Sequence, residues 1–474
     1  MQSGFSYPGT VLNGNAWQAG YRGQSLNAHP TFDREIVVPD WNPILSPSDK
    51  ATPLAVDAIN EIARAITAKD YRARTNGAVR EQNYDEALLY GYLAVAYDDL
   101  HWAGLATDCL NTAIERASQR TEHPGLYGGL TGLGWTIEHL SHLLGSVPAS
   151  VCDLEQLELQ ENEDEDLNAE IDLAVLRQLE HSDSSACYDL ISGLVGFGTY
   201  FLERCPKGVA LQGINSVFEK LEGLAIQTNA GITWFSGPEL LPEWQRQQCP
   251  QGYYNLGVAH GIPGVIHFLN EVSGTDLVEP ARSNKLLQGA VNWLIAQQRP
   301  GESRSCFAPW IVPGGEISDS RLGWCYGDLG ILAVLLQVSR RGARNEWSNF
   351  ANNLLDRCLA WPPEETQVAD ACLCHGAIGV AHIFNRIYQS LGDPRCRTAA
   401  LSWYYRALAM RRPDTGVGGF SALMRPDPKG PSVWEPSPAF LDGAGGIALG
   451  LLAAITKVPP QWDRLLLLSG RDFT

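Results

Sequence analysis

Six times the chain spells Gly-x-x-Gly and an apolar residue at the head of a long apolar run, beginning at Gly129, Gly193, Gly261, Gly327, Gly376 and Gly443. A degenerate copy, with Ala94 in place of the second glycine, begins at Gly91. The intervals are 38, 64, 68, 66, 49 and 67 residues, each with room for at least two helices and their loops. The stretch after each motif, such as "GLVGFGTYFL" or "GAGGIALGLL", is apolar almost all round for about ten residues and reads as a buried helix. Between the motifs, segments such as "AVDAINEIARAITA" and "FANNLLDRCLA" carry apolar residues at spacings of three and four, the mark of amphipathic outer helices. Glycines three apart share one helix face without a Cβ, which predicts close approach of neighbouring inner helices.

A hairpin of this kind buries its apolar face only against the next one, so the repeats belong to one domain. The expected fold class is all-α: an α/α toroid of seven inner and seven outer helices with a small β-containing insertion. Residues 1–80 read as an N-terminal extension with the first outer helix, and 81–474 as the toroid. Within it, 206–254 is an inserted, partly β segment containing the strand-like "GITWF". The Pro- and Gly-rich stretches 298–322 and 412–438 each precede a motif and are expected to form a rim at one end of the ring.

No segment offers about 18 uninterrupted apolar residues, and the first residues lack the basic start and apolar core of a secretion signal. Eleven scattered cysteines, an odd number in a long chain, suit a reducing compartment. The expectation is a cytoplasmic protein without a membrane span, compatible with peripheral association with a biosynthetic or export complex. A net charge of −18 argues against nucleic acid. Much of that charge is local: residues 152–180 hold eleven acids and one arginine and read as a solvated acidic loop, with docking of a basic peptide as the alternative.

Aligning the copies brings the chemistry into one place. Immediately before the glycine motifs stand Ser192, His260, Tyr326, His375 and Asp442; two before stand Cys325 and Cys374; four before stands Asp189 and six before stands Arg321. All fall at the same end of the inner helices, so in a closed ring they converge on one mouth. Cys325, Cys374 and His375 offer two sulfurs and an imidazole, the donor set of a tetrahedral zinc site with an open fourth position. Buried free thiols are the alternative that residue type alone leaves open. Cys372 and Cys187 read as packing residues. His260 stands in the slot of His375 without a cysteine beside it and is the candidate general acid or base. Asp189 reads equally as a helix cap and Arg321 as a surface charge.

The ordered set "YDLISGLVG", "NLGVAHGIPG", "RLGWCYGDLG", "CLCHGAIGVAH" and "FLDGAGGIALG" resembles the successive signatures of the lanthionine synthetase C family, the lanthipeptide cyclases. The resemblance runs from about Gly91 to the C-terminus. It implies Zn2+ held by Cys325, Cys374 and His375, with His260 as the acid/base residue and Asp189 and Arg321 lining the site. It further implies addition of peptide cysteine thiols to dehydroalanine or dehydrobutyrine, giving lanthionine or methyllanthionine rings. The implied substrate is a dehydrated lanthipeptide precursor, leader plus core, prepared by a separate dehydratase. A relative acting on glutathione or its adducts, a zinc-dependent prenyl transferase, and a zinc-stabilised peptide-binding scaffold without catalysis are the competing readings.

Overall fold

Inner and outer helices separate by the spacing of their buried residues. In the helix Asn345–Ala360 the buried positions are Trp347, Ala351, Leu354, Leu355 and Cys358, one stripe of an amphipathic cylinder. In Leu194–Arg204 every residue is buried. The computed structural model describes residues 41–69, 83–120, 122–145, 166–181, 187–273, 275–315, 317–342, 344–425 and 430–471. In chain order the helices are α1 (Ala51–Ala68), α2 (Asn83–Tyr97), α3 (Leu100–Gln119), α4 (Leu130–Gly145), α5 (Ala169–His181), α6 (Leu194–Arg204) and α7 (Gly208–Leu224). There follow α8 (Glu243–Gln248), α9 (Ile262–Val272), α10 (Pro280–Ala296), α11 (Asp328–Gly342), α12 (Asn345–Ala360), α13 (Ala377–Leu391), α14 (Pro394–Ala409) and α15 (Ala444–Ile455).

The packing order closes a circle. Going round, α2 meets α4, α4 meets α6, and α9, α11, α13 and α15 follow, with α15 packed back against α2. Outer helices back them: α3 on α2, α5 on α4, α7 on α6, α10 on α9, α12 on α11, α14 on α13, and α1 on α15. The first outer helix therefore covers the last inner helix. Trp41 Nε1 donates to the Ala453 carbonyl at 2.7 Å and the Leu45 amide to Ala454 at 3.0 Å across that seam. Among the described residues this is the expected toroid of seven inner and seven outer helices.

Each of the six full glycine motifs directly precedes or opens an inner helix, as expected, but the glycines serve a different purpose. The loop ahead of each helix folds back over its first turn, and its carbonyls accept the helix's first amides: Leu194, Val195 and Gly196 donate to Cys187, Tyr188 and Asp189 at 3.0, 3.3 and 3.2 Å. Ala377, Ile378 and Gly379 repeat the pattern with Asp370, Ala371 and Cys372. These bonds satisfy donors that otherwise lack partners at a helix start. A Cβ on Gly196 would sit 2.4 Å from the Leu190 carbonyl oxygen, and one on Gly379 1.9 Å from that of Leu373. The second glycine makes room for its own loop; close helix approach falls instead to residues such as Gly198, whose Cβ would meet the Phe268 ring at 2.5 Å.

Three expectations need correction. Gly91 does not start an inner helix: it lies in the interior of α2, packed so that a Cβ would meet Leu140 at 2.4 Å. Residues 208–224, placed in the insertion, form the outer helix α7; β1 (Ile226–Thr228), β2 (Gly231–Thr233) and α8 come after it. Of the acidic stretch, 152–165 lies outside the described residues. Its remainder is not a solvated loop but leads into α5; Asp172 on that helix and Asp166 just before it bind the fully buried guanidinium of Arg204. Two further antiparallel pairs, β3 (Tyr254–Asn255) with β4 (Trp310–Ile311) and β5 (Ala422–Met424) with β6 (Val433–Glu435), come from the Pro- and Gly-rich stretches and the residues before α9.

The C-terminal segment fills the middle of the ring. After α15 a 3-10 turn, Gln461–Leu466, buries Trp462, Asp463, Leu465 and Leu466. Asp463 accepts from His382 at 2.7 Å and from Arg386, both on α13; Trp324 donates to the Leu466 carbonyl at 2.6 Å; and Arg471 donates to the carbonyls of Leu202, Glu203 and Cys205 at the end of α6. The segment thus ties opposite sides of the ring together.

Candidate metal centre and its neighbours

Backbone hydrogen bonds string the loops ahead of the inner helices into a belt around one end of the ring. The Tyr127 amide donates to Ile191 at 3.1 Å and Leu190 to Ala259 at 3.1 Å. Trp324 and Cys325 donate to the Cys374 carbonyl at 3.1 and 3.2 Å, and Cys374 to Leu441 at 3.0 Å. At the seam the Phe440 amide reaches the Asp85 carboxylate on α2 at 3.2 Å. The belt gathers the side chains that precede the helices, and it sets Cys325 against Cys374.

The donor atoms of Cys325, Cys374 and His375 all lie within 4.8 Å of one another. Both cysteines are buried. His375 Nδ1 is buried without a hydrogen-bond partner, the Asp442 carboxylate standing 3.9 Å away, beyond hydrogen-bond reach. The hydrogen bond from Cys374 favours a thiolate at Cys325; burial opposes this, but His375 and the charge of Arg321 add to it, and the Cys325 thiol falls well below its usual range. Cys374, sharing that bond in the opposite sense and also buried, is pushed well above its own. Two thiols that cannot both ionise unaided, beside an orphaned imidazole nitrogen, fit a divalent cation, whose charge sustains both thiolates.

A second donor group, Asp370, Cys372 and His375, also lies within 4.8 Å and shares the imidazole. Reading Cys372 as a packing residue was therefore incomplete. Burial pushes its thiol up to about 12, although His375 beside it works the other way. Asp370 escaped the sequence reading altogether. The signal was there: it stands six residues before Gly376, as Arg321 stands six before Gly327.

His260 Nδ1 lies 2.6 Å from Asp189 Oδ2, and the other oxygen of Asp189 accepts the Ser192 amide at 2.8 Å. Asp189 thus holds its own loop and partners the histidine; it is not a helix cap, the alternative reading, since Gly193, the N-cap of α6, is served by no side chain. The His260 ring stacks on Tyr326, the residue after Cys325, with centroids 6.1 Å apart and planes at 24°. Tyr326 is fixed in turn by Asn255, which donates to its hydroxyl at 3.2 Å, and by the edge-on ring of Trp310. A quarter of the His260 side chain is exposed, against 6% for Asp189, so the couple has a wet imidazole end and a dry carboxylate end. Arg321 is half-buried on the loop of Cys325 and makes no ion pair among the described residues; only Gly323 separates its stem from the His375 backbone. Cys187 is half-buried and in no disulfide among the described residues.

A closed ring of paired helices that presents two thiols, an imidazole and a histidine–carboxylate couple at one end defines an α/α toroid with a candidate metal centre. The sequence pattern of lanthionine synthetase C-like proteins matches residues 86–467, and the chain belongs to that family. Its fold is similar to that of a nisin cyclase structure, with a TM-score of 0.65 and 18% identity, over 87% of this chain and 98% of that one. It is 25% identical over 192 residues to the Danio rerio protein named Glutathione S-transferase LANCL1, a match spanning 39% of this chain and 42% of that relative. The chain thus covers less than half the length of that curated relative. Among the described residues no helix is long and apolar enough to cross a membrane.

Proposed function

We propose that this chain is a zinc-dependent cyclase that adds cysteine thiols of a dehydrated precursor peptide to dehydroalanine or dehydrobutyrine residues, forming thioether rings. The observation that carries the reading is the meeting of Cys325, Cys374 and His375 within 4.8 Å, one residue along the chain from the Tyr326 ring on which His260 stacks. Cys325, Cys374 and His375 would hold the zinc, a set of three protein donors that would leave room for a substrate thiol. Zinc bound there supplies the positive charge that holds a substrate thiol as thiolate near neutral pH, where a free cysteine, titrating near about 8.5, is mostly protonated.

The remaining roles belong to the chain's own side chains. Asp189 accepts the Nδ1 proton of His260, which leaves Nε2 with its lone pair free to take the proton of the incoming thiol. The sulfur then bonds to the β-carbon of the dehydro residue, and the alkene pair moves toward the adjacent carbonyl as an enolate. Arg321, half-buried and with no ion pair of its own among the described residues, would stabilise that anion. The proton on Nε2 returns to the α-carbon, so nothing is gained or lost overall. The substrate comes from a separate dehydratase, and the protein works in the cytoplasm.

A second reading has one observation in its favour, the name of the LANCL1 relative: the same groups would activate the thiol of glutathione toward an electrophile. The experiment offers zinc-loaded protein a peptide carrying one cysteine and one dehydroalanine, with and without glutathione, followed by thiol trapping and mass spectrometry. Loss of the free thiol at unchanged mass supports the cyclase. A glutathione adduct formed in preference to the ring supports the rival.

A further inference from the structure

Each nitrogen of His375 has a carboxylate 3.9 Å away: Asp442 Oδ1 for Nδ1, the buried atom without a hydrogen-bond partner, and Asp370 Oδ2 for Nε2. The Asp442 side chain is 26% exposed and open to water, whereas that of Asp370 is 3% exposed. Asp370 is itself almost completely buried and is pinned by the backbone on both sides: Oδ1 accepts the Cys372 amide at 3.2 Å and Oδ2 the Leu423 amide on β5 at 3.2 Å. The glycine that follows His375 exists partly for this carboxylate, since a Cβ on Gly376 would lie 2.5 Å from Asp370 Oδ1. A buried anion held this firmly beside the rear nitrogen of an imidazole has the arrangement by which a carboxylate orients a metal-ligating histidine and fixes its tautomer.

We propose that Asp370 is a positioning residue for His375: its carboxylate holds the ring with the proton on Nε2 and so presents Nδ1 to the metal. The inference rests on the assignment of Cys325, Cys374 and His375 as ligands. The rival is that Asp370 and Cys372 are ligands themselves, in the second donor group. Accessibility opposes it: Cys372 is 1% exposed against 8% for Cys374, so a metal held there would be walled off from a substrate thiol. The backbone bonds of Asp370 also commit each of its oxygens to holding the loop. Through the Leu423 amide the same carboxylate connects the β5–β6 hairpin to the metal loop.

Asp370→Asn is the informative change, because an amide oxygen still accepts the Cys372 amide while the charge facing Nε2 is gone. In chelator competition on the folded protein, zinc affinity is expected to fall about 10- to 100-fold. Cobalt(II) substituted for zinc should retain the sulfur-to-metal charge-transfer intensity of two thiolates. Affinity within about threefold of wild type overturns the proposal, and so does loss of a thiolate's worth of charge-transfer intensity in Cys372→Ala, which would make the second group the site. Nitrogen-15 histidine NMR of the zinc-loaded wild-type protein decides the matter without any variant: zinc on Nδ1 with a proton on Nε2 of His375 is expected, and zinc on Nε2 overturns it. The ligand assignment stands or falls separately, on whether Cys325→Ala/Cys374→Ala retains zinc.

Discussion

His260 Nδ1 and Asp189 Oδ2 lie 2.6 Å apart although 71 positions separate them in sequence, because their loops precede neighbouring inner helices, α6 and α9. The bond settles which nitrogen of His260 is free for chemistry. Asp189→Asn keeps an oxygen for the Ser192 amide but removes the anion that supports an imidazolium. The expected outcome is unchanged zinc content and a cyclisation rate lowered by about 10²-fold, measured across a pH series. A wild-type rate would leave Asp189 only the holding of its own loop through the Ser192 amide.

The looped-back start of the inner helices makes a stability prediction at Gly379, where a Cβ would sit 1.9 Å from the Leu373 carbonyl oxygen. Backbone cannot yield as a side-chain tip can, so Gly379→Ala should cost about 3 kcal/mol in chemical denaturation and loosen the loop of Cys374 and His375. Gly392, at the end of α13, has a φ of 69° but nothing within 4 Å of its Cβ position. Gly392→Asn is expected to cost far less, since asparagine tolerates that backbone. Equal losses at the two positions would refute the steric account.

Much of the ring was legible because its glycines are obligatory. Six inner helices carry a glycine where their own loop carbonyl would strike a Cβ, so their starts could be read from the sequence. The seventh could not: at α2 side chains do the work, with the Tyr84 hydroxyl accepting the Gly128 amide at 2.6 Å and Asp85 accepting from Phe440. The slots before the glycines brought Cys325, Cys374, His375 and His260 to one end. Asp370 occupied a readable slot too, but an acid near a helix start has many uses, and only the distance to Nε2 selects one. The run Leu465–Leu468 gave no hint that it ends inside the ring, because periodicity carries no information about long-range position.

That C-terminal segment is expected to be structural. Asp463 is fully buried between Arg386 and His382, which outweigh its burial and hold its carboxyl at about 2. Asp463→Ala leaves a guanidinium and an imidazole facing an empty place and should cost about 3 kcal/mol. Urea unfolding measures it. A loss below about 0.5 kcal/mol would mean that the segment lies loosely in the ring.

Buried ionisable groups make the stability of the fold depend on pH. Burial holds His139 down at about 4, against a bond to Glu203, and His267 down at about 3, helped by Arg341. The unfolded chain binds these protons first, so their stability contribution is present above about pH 6.5 and is lost as pH falls toward 4 and then 3. Asp463 contributes above its ordinary value of 3.8 and is lost toward about 2. Burial raises the Asp85 carboxyl to about 7 and that of Asp328 to about 6, which works the other way between pH 7 and 4, so the imidazoles are read by difference: relative to wild type, His267→Leu should gain stability in urea as pH falls from 6.5 toward 3. A difference between variant and wild type that stays constant over that range would contradict the buried neutral imidazole.

The account separates the metal from the proton. His375 and His260 occupy equivalent slots, yet only His375 has a cysteine beside it, and only His260 is bonded to a carboxylate at 2.6 Å. The measurement is zinc content and cyclisation rate on one preparation of His260→Asn, using a dehydrated precursor peptide and thiol trapping. The expected result is stoichiometric zinc, an unchanged fold and a rate lowered by about 10²- to 10⁴-fold near neutral pH. Loss of zinc from His260→Asn would make His260 a ligand, and a wild-type rate would give the proton transfer to another group; either result contradicts the account.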